Sequence, residues 1–293
     1  MVLGIDWSVR SEIFEGWRTP NLYGLLFISG MIIGYYIVRK MFKVENIHEK
    51  YLDKLLLLVV PATIIGARLG HLVFYENAFD FTDKNGFVHE GYLSHPYNII
   101  KIWEGGLASH GAAIVILAVL FYYSRKIVKR PMLWILDRVV VAIAIAGCFI
   151  RLGNLVNHEI IGVPTDLPWG FKFLYTEDKY LINGEQVYRH PAQLYEAILY
   201  LISFVVLFRM YCKTKAKYTA GKIFGAFMVL IWTIRFVVEF IKEGQSDFDG
   251  TMLLNTGQLL SIPFILIGIY LLVRKVKPEE QERYKEIVDT PLN

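Results

Sequence analysis

The chain has 293 residues, of which 55% are hydrophobic, 15% aromatic and 20% charged, and its formal net charge is +4. So small a charge, carried in short loops between apolar runs, gives no basic face for nucleic acid, and apolar runs of near-bilayer length exclude a soluble domain. The two cysteines, Cys148 and Cys212, stand far apart and form neither a metal cluster nor a C-x-x-C pair. Residues 1–20 lack the basic, apolar and small-residue order of a secretory signal.

About 20 apolar residues cross a hydrocarbon core of roughly 30 Å. The first such run is 22–38, and Arg39, Lys40, Lys43, Lys50 and Lys54 follow it. The second, 55–74, leads into a long gap at 75–106. The third, 107–123, is followed by Arg125, Lys126, Lys129 and Arg130, and the fourth, 135–150, by a second long gap at 151–191. After the fifth, 192–208, come Arg209, Lys213, Lys215, Lys217 and Lys222; the sixth and seventh are 223–241 and 259–273, and Arg274, Lys275, Lys277, Arg283 and Lys285 fill the tail. The pattern predicts an all-α, polytopic membrane protein with about seven transmembrane helices. Residues 1–293 read as a single transmembrane domain, with no repeat and no linker.

The basic gaps alternate along the chain, and only nine Lys and Arg lie in the N-terminal segment and the other three gaps. The positive-inside rule then puts the N-terminus outside and the C-terminus inside. Both long loops fall on the outer side, and elaborated loops tend to carry function.

Charges within membrane spans are functional candidates. Arg68 lies inside the second span, in Gly66-Ala67-Arg68-Leu69-Gly70. Arg151 ends the fourth span, and Arg235 stands in the sixth, four residues before Glu239. The bland alternatives are snorkelling for Arg68 and an intrahelical ion pair for Arg235 and Glu239. Guanidinium is the natural two-pronged partner of phosphate or carboxylate. Arg68, Arg151, Arg235 and His110 are therefore expected to face one cavity open to the outer leaflet.

Three motifs sit on the outer side. Glu104-Gly105-Gly106-Leu107-Ala108-Ser109-His110-Gly111 places a histidine at a glycine-rich helix entrance, and an imidazole there suits a general base. Arg151-Leu152-Gly153-Asn154-Leu155-Val156-Asn157-His158-Glu159-Ile160-Ile161-Gly162 mixes cation, amides, imidazole and carboxylate with apolar residues. That mix points to a half-buried interfacial segment rather than a wet loop. Tyr188-Arg189-His190-Pro191-Ala192-Gln193-Leu194-Tyr195-Glu196 opens the fifth span, where Pro191 suits a first helical turn. No G-x-S-x-G, acyltransferase box or metal-spaced cluster accompanies them. An enzyme of this composition would use no covalent intermediate, metal or other cofactor.

These motifs, together with Gly257-Gln258-Leu259-Leu260-Ser261-Ile262-Pro263, resemble in order the bacterial prolipoprotein diacylglyceryl transferases, over 22–273. The resemblance implies transfer of the diacylglyceryl group of phosphatidylglycerol to the thiol of a lipobox cysteine in an exported precursor. A thioether forms and glycerol phosphate leaves, in the first step of lipoprotein maturation. The implied partners are phosphatidylglycerol, signal peptides with a lipobox cysteine and membrane lipids, with no nucleic acid. The implied place is the bacterial inner membrane. By motif match, Arg151 holds the head group, Arg235 is its partner and His110 is a candidate thiol base. Tyr23, Asn154, Glu159, Gly162 and Glu239 fall on further family positions. Arg68 is expected to join Tyr23, Arg151, Asn154, Glu159 and Gly162 in binding substrate. Whether His110 or Glu159 takes the proton is open.

The sequence departs from the family pattern at Ala112, His158, Ile231 and Lys242, where a glycine, a glycine, a tyrosine and an arginine are common. An arginine-lined transporter or channel for an anion is the competing class. It would need polar residues spread through several spans and two repeated halves, and neither is evident.

Overall fold

The computed structural model describes residues 4–14, 16, 20–82, 86–100, 108–244 and 254–292. Seven helices among them are long and apolar enough to cross a membrane. They include α1 (Leu22–Val44), α2 (Glu49–Tyr75), α4 (Met132–Val156) and α5 (Ala192–Lys213). α3 (Ser109–Tyr122) gains the length to span through a π turn at Tyr123–Ile127, and α6 (Lys222–Val238) through a 3-10 turn at Glu239–Ile241. α7 (Thr256–Val273) is the last of the seven, and a short polar helix, α8 (Pro278–Asp289), follows it.

The helices outrun the apolar segments. α1 runs six residues past 38 through Arg39, Lys40 and Lys43, and α2 begins at Glu49. A helix satisfies its own backbone wherever it goes, so polar residues prolong it beyond the lipid. α4 likewise continues through Arg151 to Val156, so the connection expected from 151 starts later. α7 starts at a capping box in which Asn255 and Gln258 serve each other's backbone N–H. The third span, expected from 107, begins at Ser109 among the described residues.

Two compact units are formed: Met1–Glu45 with Leu136–Thr290, and Asn46–Ile135 with Pro291–Asn293. In the second unit α2 packs on α3, and Ala108 N–H donates to Ala67 O at 2.9 Å. The loop after α2 carries a two-stranded hairpin, β2 (Phe81–Thr82) and β3 (Val88–His89). Asp80 closes it by accepting from Gly91 N–H at 2.6 Å. That bond is the main reason the Asp80 carboxyl titrates below its ordinary range.

In the first unit a small sheet covers one end of the helices. β1 (Ile5–Trp7) pairs in parallel with β4 (Phe171–Phe173), which pairs antiparallel with β5 (Tyr188–Arg189). Phe171, Phe173 and Tyr180 pack with Leu155 and Ile161 beneath it. Trp7 Nε1 donates to Leu155 O at 3.0 Å, fixing the end of α4. The opposite end holds a buried polar cluster. Arg138 Nη2 lies 2.7 Å from Glu45 Oε1, and both side chains are at most 1% exposed. Tyr211 hydroxyl donates to the same oxygen at 2.6 Å. Asp137 accepts from Gly221 and Phe224 N–H, both at 2.8 Å, at the start of α6. Tyr284 of α8 reaches into this cluster, its hydroxyl 3.3 Å from Asp137 Oδ2.

Candidate active site

The turn after α4 gathers most of the residues singled out from sequence. α4 ends at Val156, and His158 and Ile160 then take left-handed backbone with φ of +56° and +59°. Left-handed backbone is uncommon outside glycine, and for a β-branched residue such as Ile160 it is strained. The surroundings hold the turn in place. His158 Nε2 bonds Val9 O at 2.7 Å, and Gln193 Nε2 donates to Glu159 O at 2.6 Å. Burial pushes the His158 imidazole below its ordinary value, against the pull of its bond to Val9.

Backbone pairing then ties three distant segments together. Gly162 N–H donates to His190 O, Val163 N–H to Ile241 O and Glu243 N–H to Ile161 O, at 3.0, 3.0 and 3.1 Å. A Cβ on Gly162 would stand 2.5 Å from His190 O and 2.7 Å from Ile241 O, so only glycine fits. Arg189 serves this junction. It donates to Gly162 O at 3.1 Å and Tyr180 O at 2.6 Å, and pairs with Glu243 at 2.8 Å.

One polar chain runs through the site. Arg151 Nη1 donates to Asn154 Oδ1 at 3.3 Å, and Asn154 Nδ2 donates to Glu159 Oε1 at 2.7 Å. Asn157 Nδ2 reaches the same Glu159 oxygen at 3.3 Å. On its other side, Arg151 Nε lies 3.0 Å from Glu196 Oε2. Glu196 Oε1 lies 2.9 Å from Lys242 Nζ, which is also 3.3 Å from Glu239 Oε2. Glu239 lies against Gly257, where a Cβ would meet its carboxyl at 2.6 Å. Tyr23, on α1, packs its ring 2.7 Å from the place of a Cβ on Gly153.

Arg235 stands over the Trp232 ring at 5.7 Å. Its Nε is buried with no hydrogen-bond partner among the described residues. A desolvated guanidinium N–H without an acceptor costs free energy unless something fills the place, and an anionic oxygen is the natural occupant.

Tyr23, Arg151, Asn154, Glu159, Gly162, Arg235 and Glu239 thus lie in the first unit. Glu239 meets Lys242 rather than closing the i,i+4 pair with Arg235 that spacing alone allowed. Arg68 and His110 lie in the second unit. Arg68 Nε donates to Ile99 O at 3.0 Å, and the His110 ring packs edge-on against Phe74, centroids 5.0 Å apart. Glu104, Gly105, Gly106 and Leu107 of the histidine motif lie outside the described residues. Sequence reasoning gave no role to Glu196 and treated Lys242 only as a departure from pattern. The signal for both was a charged residue in or beside an apolar run.

A model of the prolipoprotein diacylglyceryl transferase family matches residues 16–274. The chain belongs to the prolipoprotein diacylglyceryl transferase family. It is 41% identical over 281 residues to the phosphatidylglycerol–prolipoprotein diacylglyceryl transferase of Porphyromonas gingivalis, covering 93% of this chain and 95% of that one. The protein of the same description from Tolumonas auensis is 40% identical, over 87% of this chain and 91% of its own. That of Chloroherpeton thalassium is 36% identical, over 95% and 97%. The chain is a multi-pass membrane transferase that moves a diacylglyceryl group to prolipoproteins.

Proposed function

We propose that this transferase works by direct displacement on phosphatidylglycerol. The thiol sulfur of a lipobox cysteine attacks the glyceryl carbon that bears the phosphate. The S–C bond forms as the C–O bond breaks, and the electron pair leaves with glycerol phosphate. The thiol proton passes to a base, His110 or Glu159. A free thiol has a pKa near 8.5, so such a base raises its thiolate fraction at neutral pH.

Arg151 and Arg235 hold the phosphate and neutralise charge building on the leaving oxygen, the dominant electrostatic form of catalysis. The observation that carries this reading is the buried Arg235 Nε, which has no hydrogen-bond partner among the described residues, together with Arg151 held by Glu196 and Asn154. Asn154 and Glu159 orient Arg151 through their hydrogen-bond chain, Glu239 helps anchor Lys242, and Tyr23 and Gly162 shape the site. Arg68 takes part in substrate binding. The role of His110 rests on motif match, and that of Arg68 on its charge within an apolar span.

The N-terminus faces outward, the C-terminus inward, and the site serves the outer leaflet of the bacterial inner membrane. The alternation of basic segments supports that orientation.

The test is transfer of label from phosphatidylglycerol to a lipobox peptide. Arg151→Lys keeps the charge and loses the two-pronged geometry. One charge-assisted hydrogen bond is worth roughly 1.5–3 kcal/mol, so turnover falls by about one to two factors of ten. Full activity in Arg151→Lys would remove Arg151 from the phosphate.

A further inference from the structure

A cavity of about 310 Å³ opens where the N-terminal segment meets the turn after α4. Arg10, Ser11 and Glu12 line it from the N-terminal segment, and Asn157, His158 and Tyr175 from the rest of the first unit. The Arg10 guanidinium lies over the Tyr175 ring, 4.7 Å from its centroid. Ser11 Oγ is buried with no hydrogen-bond partner among the described residues.

Two residues that line this cavity are hydrogen-bonded toward the transfer site. Asn157 bonds Glu159, Glu159 bonds Asn154 and Asn154 bonds Arg151, at 3.3, 2.7 and 3.3 Å. Ser11 O accepts from Leu22 N–H at 2.7 Å, one residue before Tyr23. The cavity is therefore linked to Arg151 through one chain of side-chain hydrogen bonds and to the start of α1 through one backbone bond.

The lining selects the occupant. A cation stacked on an aromatic ring, a carboxylate, an amide and a buried hydroxyl, with Val156 among them, suit the amides and short side chains of an extended polar peptide. The volume is at the small end of ligand sites and fits a short stretch of chain. The acceptor protein must leave the apolar phase just after the cysteine that reacts, because the remainder of that protein is exported.

We propose that this cavity binds the polar residues immediately C-terminal to the acceptor cysteine, and so reads the mature side of the substrate. The proposal rests on the transfer mechanism proposed for this site.

The experiment compares two peptides with the same lipobox, one amidated at its cysteine and one continuing for four polar residues. With the unaltered enzyme and phosphatidylglycerol, the longer peptide should show a KM about tenfold lower, the equivalent of one well-made hydrogen bond. In Arg10→Ala and in Tyr175→Ala the ratio of the two KM values should fall toward one. Transfer to the short peptide reports in each variant that the protein has folded. Equal KM values for the two peptides in the unaltered enzyme overturn the cavity's role while leaving the transfer mechanism intact. So does a tenfold ratio that survives both substitutions. Transfer to neither peptide overturns both.

Discussion

Glu196 holds two cations at once: one carboxylate oxygen lies 3.0 Å from Arg151 Nε and the other 2.9 Å from Lys242 Nζ. The carboxylate is fully buried. In such a place a charge left unpaired is far costlier than the pair itself is worth. Counting Arg235, Glu239 and Glu159, which Asn154 links to Arg151, this part of the first unit carries three cations and three carboxylates.

Lys242 is therefore predicted to orient Arg151 through Glu196. Lys242→Met should lower kcat/KM for transfer by about ten- to a hundredfold, the cost of one charged hydrogen bond. Lys242→Arg, which restores a cation with forked donors, should stay within a few-fold of the original. Steady-state transfer with both variants decides this. Equal losses in the two would show that lysine shape rather than positive charge is needed.

The identity of the base is separable by pH. If His110 takes the thiol proton, His110→Gln loses most activity near neutral pH. It recovers part as the pH rises toward the thiol's own pKa, because hydroxide then replaces the base. Arg151→Lys should show no such recovery. pH–rate profiles of both variants check this. No recovery in His110→Gln, or equal recovery in the two, moves the role to Glu159.

The buried Arg138–Glu45 pair predicts a stability effect remote from the chemistry. Arg138→Leu takes the paired cation away from the buried Glu45 carboxylate, which still accepts from the Tyr211 hydroxyl. Removing one partner of a buried pair costs about 3–5 kcal/mol. Detergent-solubilised protein should melt at a clearly lower temperature, and replacing both residues with apolar ones should recover much of the loss. A double variant as unstable as the single one would contradict this.

His158 predicts a pH dependence of folding. Its pKa is lowered in the folded chain by burial, so between that value and about 6.5 the unfolded chain binds the proton more readily. Its contribution is fully present above about pH 6.5 and declines as the pH drops through that window. His158→Asn tolerates the left-handed backbone and removes the titration. Melting temperatures from pH 5 to 8 should then lose part of their slope; an unchanged slope would point to other groups.

Orientation can be checked without adding an inner label. Cys212 is exposed and Cys148 buried. An impermeant thiol reagent should reach Cys212 only from the cytoplasmic side, and should reach Asp178→Cys only from the other. Labelling of both from one side would reverse the proposed topology.

The spans were legible because lipid imposes one simple pattern, about 20 apolar residues and alternating basic ends. The α8 helix was not, since nothing apolar marks it; only Tyr284 and Val288 are buried. The Glu45–Arg138 pair escaped notice because Glu45 sits in a basic stretch and its partner is 93 residues away. Local spacing offered Glu239 two partners, Arg235 four residues before it and Lys242 three residues after, and the 3-10 turn at Glu239–Ile241 brings it to Lys242. Arg151, Asn154 and Glu159 were readable together because consecutive turns of one segment bring them into reach. Glu196 and Lys242 meet only through the fold.

The pairing of 161–163 with 190 and 241–243 is made by main-chain atoms. Most side-chain replacements leave such bonds untouched, so a scan of single substitutions at Val163 or Glu243 would understate what the junction does. Its vulnerability is to changes in chain length. One residue inserted between Gly162 and Val163 would throw the register out by a step. That step would shift the end of α6 and the entry to α5 together, and with them Arg235, Lys242 and Glu196. Outside Gly162, whoever engineers this protein has latitude in residue type at that seam and almost none in residue count.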